Sequence, residues 1–342
     1  MIRTKPATFK DFLAMTAVAN DFDFVADAIE KNYAGFPSKL TDPRLNEYVS
    51  IKTSFRDTFL GAEDPREREK LLKEFLAFFN DKHISIHAKG RTVGEAGATE
   101  QNPSFERIDS DTVLICIPSF LPENYEAINQ LIQEQHEVLV NTTNLVIDLR
   151  GNGGGSDECF NPLLPYVCPQ SIEVVGVDVR ATLDNIEYLN DLTTVHDFPE
   201  EALLQIKSLT ALMSESLGSF VEMVPTQTVE LANVFAKPQK VAICVDKGCA
   251  SSTEQFLIFA VQSPKVILFG ENTAGCIDFS NVVSAPTPSN NWTLSYPISR
   301  SKRIPLNQID GRGIEPHYRM DTESKELIND VVKHLHSPVG QN

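Results

Sequence analysis

The sequence predicts an α/β fold, and three observations predict it. Short apolar runs rich in β-branched residues recur after the first third of the chain: TVLICIP from Thr112, NLVIDLRG from Asn144, KVAICVD from Lys240 and KVILFGE from Lys265. Segments with helical patterning lie between them, at 122–140 and 251–263. A wholly helical stretch precedes them. Near-continuous apolar strands alternating with helices mark a sheet that is largely buried.

The elements follow in order. Residues 8–35 and 43–80 read as helices. Phe22, Val25, Ile29 and Tyr33 recur at three- and four-residue spacing, as a single buried face requires. Leu71, Leu72, Phe75, Leu76 and Phe79 repeat that spacing after the charged, proline-containing GAEDPREREK. Residues 83–87, His-Ile-Ser-Ile-His, alternate as a strand does. The expected division is a helical N-terminal cap at 1–90 and an α/β core at 91–342. Pro118 stops the first core strand, and the second runs into the glycines 153–155. Residues 180–240 are mixed and mostly helical. WTLSYPIS is a late strand, and DTESKELINDVVKHLH is a closing helix with Asp321 or Thr322 as its cap.

Composition excludes several classes of function. The chain has 342 residues, 42% of them apolar and 23% charged, the balance of a globular protein with a real core. Thirty basic against forty-seven acidic residues give a net charge of −17. A nucleic-acid binder needs a basic face, and so does docking on an anionic membrane. No apolar run reaches the ~18 residues of a spanning helix. The first apolar stretch, Phe12 to Ala19, reads as the start of an amphipathic helix rather than a secretion signal. The compartment is left open, with the cytoplasm slightly favoured and an exported or periplasmic location requiring a removed signal. The six cysteines form no CxxC pair and no Cys/His group at zinc spacing, so they read as idle or buried thiols, and neither metal nor cofactor is expected.

Four segments carry the candidate chemistry. Asn80-Asp81-Lys82-His83 ends a helix. Ile147 to Gly155, IDLRGNGGG, is a strand entering a glycine loop. Gly248 to Glu254, GCASSTE, turns from a strand into an apolar helix. Asp310 to Pro316, DGRGIEP, lies near the C-terminus. A serine at position 251 or 252 sits where free helix N–H groups converge, a good place for a nucleophile and an equally good one for an ordinary N-cap. The glycine triplet exposes amides that could receive an oxyanion or a phosphate, but it lacks the lysine of a P-loop and the last glycine of a dinucleotide fingerprint. Glu254 fits a capping box with Ser251. Arg150 and Asp148 would brace the glycine loop. His83 alone reads as a surface or capping histidine. A His83–His87 metal pair lacks an adjacent acidic third ligand.

Together the four segments resemble the carboxyl-terminal processing protease and tricorn protease family of serine peptidases. IDLRGNGGG resembles its strand-LRxNxGG signature, GCASSTEQF its nucleophile turn, FGENTAG its G-E-x-T-x-G string and GRGIEP its closing G-x-G-I-x-P. Order and spacing agree over about residues 75–318. The resemblance implies a crotonase-like or ClpP-like spiral core behind the helical cap. It implies Ser251 as nucleophile, with an oxyanion hole from the backbone N–H of Ser252 and of Gly154, or next Gly153. In the branch with a Ser–Lys dyad the lysine falls 25 residues after the serine, where this chain has Cys276. The tricorn-like branch takes its base from an upstream histidine, which His83 matches. Lys82 stands where that branch has a serine. Asp310 stands where it has a glutamate, and Asp310 and Asp81 are both candidates to orient His83. His317 replaces the usual aspartate after G-I-x-P.

The resemblance implies peptide-bond hydrolysis through an acyl-enzyme, acting on peptides or unfolded chains, in a protein that could be oligomeric. Fewer than thirty residues separate His83 from Thr112, too few for a PDZ domain. Two rivals remain: a non-catalytic relative binding an apolar small molecule or peptide on the same fold, and a nucleotide-using enzyme built on the glycine loop.

Overall fold

The computed structural model describes residues 9–90, 102–195 and 198–337. Helices α1 (Phe9–Asn32), α2 (Phe36–Lys39), α3 (Asp42–Gly61) and α4 (Pro65–Ala77) come first. Strands β1 (Ser85–Ala88), β2 (Ser104–Arg107) and β3 (Thr112–Cys116) follow, then α5 (Tyr125–Glu134), α6 (His136–Leu139), β4 (Asn144–Asp148) and α7 (Leu164–Val167). The middle of the chain forms β5 (Ser171–Val174), β6 (Val177–Arg180), α8 (Leu183–Val195), α9 (Glu200–Glu215), β7 (Phe220–Val224) and β8 (Gln227–Glu230). The last third forms β9 (Lys240–Val245), α10 (Ser252–Ala260), β10 (Val266–Gly270), β11 (Phe279–Pro286), β12 (Trp292–Ser301), β13 (Tyr318–Arg319) and α11 (Leu327–His336). The α/β class and the helical front are thus both present.

The chain divides into two units. The first comprises the described residues of Met1–Ala96, Gly176–Pro225 and Phe279–Lys302; the second comprises those of Gly97–Val175, Thr226–Asp278 and Arg303–Asn342.

In the first unit, helices α1, α3 and α4 enclose an aromatic core. The Phe22 ring lies 4.9 Å from Phe75 and 5.8 Å from Phe59, and Tyr48 packs on Phe75, Phe78 and Phe79. Helix α4 starts where the sequence supplies both signals: Asp64 accepts from Arg66 N–H at 2.9 Å, and Pro65 fills the first helical position. Its apolar positions Leu72, Phe75 and Leu76 are buried, which at ~1.5–3 kcal/mol per large apolar side chain outweighs helix propensity. The sheet of this unit is antiparallel, in the order β1-β12-β6-β7, with β11 also on β12.

The second unit holds a six-stranded sheet, β13-β10-β9-β4-β3-β2, parallel except for β2. The four apolar runs of the sequence are β3, β4, β9 and β10. One face, with Val113, Ile115, Leu145, Ile147, Val241 and Ile243, packs on Phe160 and on Phe256, Leu257 and Ala260 of α10. The other, with Leu114, Val146, Ala242 and Cys244, packs on Leu327, Val331 and Leu335 of α11. Burial of both faces is the reason these strands carry apolar residues at successive positions.

One boundary differs from the sequence expectation. The closing helix begins at Leu327, preceded by Glu326, and not at Asp321 or Thr322. Asp321 and Ser324 instead hold separate turns, accepting from Glu323 N–H and Glu326 N–H, and the buried apolar positions start only at Leu327. The helix expected at 122–140 is a 3-10 turn followed by α5 and α6.

Candidate active site

The first unit carries Asp81 and His83 in the turn between α4 and β1. His83 is half-buried, and its Nδ1 lies 2.6 Å from the carbonyl oxygen of Phe279. A carbonyl only accepts, so Nδ1 carries the proton and Nε2 of the neutral ring is the basic nitrogen. Asp81 does not hold the ring through this bond. Its Oδ1 accepts the backbone N–H of His83 at 2.9 Å, and its Oδ2 accepts from Tyr33 Oη at 2.5 Å and Lys39 Nζ at 3.2 Å. Lys82 is exposed.

The second unit carries the remaining candidates. Strand β9 ends in a turn tied by Asp246, whose Oδ1 accepts from Gly248 N–H and Gly151 N–H, both at 2.9 Å. The chain then enters α10 at Ser251, which sits at φ 56° and ψ −122°. Positive φ is rare and strained for a residue with a Cβ. Here it sets the half-buried Ser251 at the N-terminus of α10, where the first N–H groups have no intrahelical acceptor and the helix dipole is positive. Ser252 is the first residue of that helix, and its hydroxyl donates to Gly155 O at 2.8 Å.

The glycine loop lies directly against this turn. Gly154 has φ 93°, and a Cβ there would stand 2.5 Å from Ala250 O and 2.9 Å from both Ser251 Cβ and Ser252 N. Only a glycine permits so close an approach. Its N–H donates to Asn152 Oδ1 at 3.0 Å. Gly153 is exposed in the same loop. Asn152 is fully buried and ties three segments together: Nδ2 donates to Ile117 O, and Oδ1 accepts from both Gly154 N–H and Thr253 Oγ1. Arg150 pairs with Asp148 through two nitrogens and reaches Thr322 O at 2.7 Å. This pairing raises the guanidinium pKa further and holds the strand end below the loop. Arg150 and Asp148 also line a cavity of about 510 Å³ with Ser104 and Cys116.

Glu254 is wholly buried and does more than cap. Oε2 accepts from Ser251 N–H at 3.3 Å and Cys276 N–H at 2.7 Å, while Oε1 accepts from Gly275 N–H at 2.8 Å and Thr273 Oγ1 at 2.5 Å. Thr273 Oγ1 in turn accepts from Ile314 N–H, and Thr273 N–H donates to Ile314 O. The turn at Ser251, the TAGC string and the GRGIEP string are therefore one hydrogen-bonded assembly. Cys276 is buried, and its carbonyl accepts Ser251 N–H at 3.1 Å.

Asp310 is also buried. Its Oδ1 accepts the N–H groups of Ile277 and Asp278, both at 2.8 Å. Asp278, a residue the sequence does not mark, answers with Oδ2 on the N–H groups of Ile309 and Asp310, and its charge is met by Arg303 at 3.1 Å. Asp278 and Arg303 carry no motif signal. Asn152 does, because it is the asparagine of LRGNGGG.

Four of the other histidines are engaged in ordinary structure. His136 meets Tyr166 Oη, His317 accepts Leu268 N–H, His334 packs at a tilt against Tyr318 and His336 pairs with Asp109. His196 lies outside the described residues. All six cysteines are unbridged, and burial raises the Cys168 thiol to about 12. Among the described residues, no helix is long and apolar enough to cross a membrane.

A buried parallel sheet whose strand end, glycine loop and helix N-terminus surround a strained serine is the arrangement of an acyl-transfer hydrolase. Comparison with known proteins agrees. The model of peptidase family S41 matches residues 111–320, and the chain belongs to that family: it is a peptidase. No curated protein matches the chain. Among solved structures it is similar to a putative peptidase from Parabacteroides merdae, with TM-score 0.61 and 13% identity over 94% of this chain and 97% of that one. It is also similar to mature CPAF, with TM-score 0.60 and 13% identity over 94% and 96%, and to a lipoprotein from Streptococcus agalactiae, with TM-score 0.53 and 14% identity over 98% of both chains. At these identities the likeness is one of fold.

Proposed function

We propose that the protein is a serine peptidase of the tricorn-like histidine branch, with Ser251 as nucleophile and His83 as general base. The observation that carries this reading is Ser251 at positive φ on the N-terminus of α10, beside a glycine loop that only a missing Cβ lets approach. His83 Nε2 takes the proton of Ser251 Oγ as the oxygen attacks the peptide carbonyl. The oxyanion is received by the N–H of Ser252 and by a glycine amide of the triplet. Gly154 is nearest but shares its N–H with Asn152; Gly153 is the alternative donor. The protonated His83 then delivers its proton to the leaving amine. Water, activated by the same ring, releases the acyl group and restores both residues.

Asp310 remains the proposed acidic partner of His83 on the resemblance alone: its buried carboxylate is clamped by two N–H groups, and the His83 Nδ1 lies on Phe279 O. Asp81 holds the main chain of the histidine, a role distinct from orienting the ring. Cys276 occupies the place where a lysine base would stand, which supports the histidine branch. No metal or cofactor is required by this chemistry. The substrate is a peptide or an unfolded segment, because the scissile bond must reach the turn as an extended strand. Association into an oligomer is compatible with this reading, as is a cytoplasmic location.

The test is hydrolysis of a library of short fluorogenic peptides by wild type, Ser251→Ala and Cys276→Lys. Activity lost in Ser251→Ala and not improved in Cys276→Lys is expected. A folded wild type that hydrolyses nothing but binds apolar ligands would favour the non-catalytic reading.

A further inference from the structure

We propose that Lys39, together with Tyr33, is a positioning residue for His83, acting through Asp81 and Phe279. The inference rests on His83 being the general base.

The geometry lies wholly within the first unit. The ammonium of Lys39 has three donors, and three oxygens of the histidine turn lie 3.2 Å from it: Phe79 O, Asn80 O and Asp81 Oδ2. It also stands 4.9 Å from the centre of the Phe279 ring. His83 is anchored at two points, its main chain on Asp81 Oδ1 and its ring on Phe279 O. Lys39 therefore touches both anchors. Tyr33 completes the arrangement: its hydroxyl donates to Asp81 Oδ2, and its ring packs edge-on against Phe279 at 5.8 Å.

The backbone shows what this cluster restrains. Asn80 has φ 46°, a left-handed conformation that asparagine adopts more readily than other residues with a Cβ. That turn points the chain from α4 into Asp81, Lys82 and His83. The carbonyls of Phe79 and Asn80 flank it, and Lys39 binds both. The Lys39 side chain is 11% exposed and that of Asp81 is 0% exposed. A buried ion pair of this kind adds little net stability, because desolvation offsets the attraction. Its effect is to hold one geometry, and the geometry held here is the entry to His83. Misplacing a catalytic group by ~1 Å costs about a hundredfold in rate.

The experiment follows acylation of Ser251 by a fluorophosphonate, as kinact and KI across a pH series, in wild type, His83→Ala, Lys39→Met and Tyr33→Phe, with Tm recorded for each. In folded Lys39→Met, kinact is expected to fall about a hundredfold with KI unchanged. The acidic limb of its pH profile is expected to move upward, because removing the cation from the histidine turn favours the protonated ring. Tyr33→Phe keeps the ring packing and loses one hydroxyl, so it decides the matter if Lys39→Met does not fold; its kinact is expected to fall about tenfold. Should His83→Ala label at the wild-type rate, the base assignment itself fails. Should His83→Ala lose labelling while the folded variants keep kinact within about twofold of wild type, or keep its pH profile, the positioning role alone is overturned.

Discussion

Asp278 and Asp310 hold each other's backbone: each carboxylate accepts the N–H of the other residue at 2.8 Å, and each accepts one further N–H from the adjoining residue. Two buried carboxylates this close would repel, and Arg303, 9% exposed at its side chain, offsets that charge on Asp278. Arg303→Met leaves Asp278 uncompensated and is expected to destabilise the protein by about 3–5 kcal/mol. Urea denaturation measures this, and a change under about 1 kcal/mol would show that the charge is met elsewhere.

Gly154 tests the glycine loop. A methyl group at this residue would stand 2.5 Å from Ala250 O at a backbone φ of 93°. Gly154→Ala is expected to push the loop from the Ser251 turn and abolish peptide hydrolysis, whereas Gly153→Ala, with nothing near its added Cβ, spares the fold. A Gly154→Ala variant with full activity would remove the loop from the mechanism.

Asn152 offers a second probe of the same loop. Asn152→Ala removes the bonds to Ile117, Gly154 and Thr253 at a wholly buried position. At ~1–3 kcal/mol for each buried group left unpaired, a loss of about 3 kcal/mol or more is expected in thermal denaturation, together with reduced kcat.

How much of this was legible in the sequence depends on the range of the interactions involved. The strands β3, β4, β9 and β10 announce themselves because both sheet faces are buried, and the helical front does so through its apolar spacing. The turn at Ser251 and the loop at Gly154 are visible as strings, because backbone demands select small residues there. Asp278 sits in CIDFS, with no local pattern to mark a residue whose partners lie 31 and 32 positions away. Tyr33 is buried as its spacing implies but lies just beyond α1, which ends at Asn32, and periodicity says nothing of the hydroxyl that reaches Asp81. The return of 176–225 and 279–302 to the first unit has no local signal, since β12 pairs with β1 and β6, strands distant in sequence, and only its hairpin with β11 is local. The last helix starts beyond the cap signals at Asp321 and Thr322 because Asp321 and Ser324 stabilise turns by the same bonds that cap helices.

Stability should vary with pH through Asp21. Burial raises its carboxyl pKa above the ordinary 3.8, with Ser289, Thr287 and Arg68 partly opposing the rise. A raised carboxyl pKa means the folded state binds the proton more tightly, so this contribution is present at low pH and is lost as pH rises through the folded value. Asp21→Asn keeps an acceptor for Ser289 N–H and removes the buried charge. Its Tm at pH 7 is expected to equal or exceed that of wild type, and the gap is expected to close as pH falls towards 4. A lower Tm at pH 7 would show that the ionised form is the stabilised one.

The central claim is that Ser251 is an activated nucleophile with His83 as its base. The most direct measurement is labelling with a fluorophosphonate probe, mapped by peptide mass spectrometry, in wild type, Ser251→Ala and His83→Ala. Labelling of wild type at Ser251, absent from both variants, is the predicted result. A folded wild type that takes no label, or a His83→Ala variant that labels as wild type does, would contradict the account.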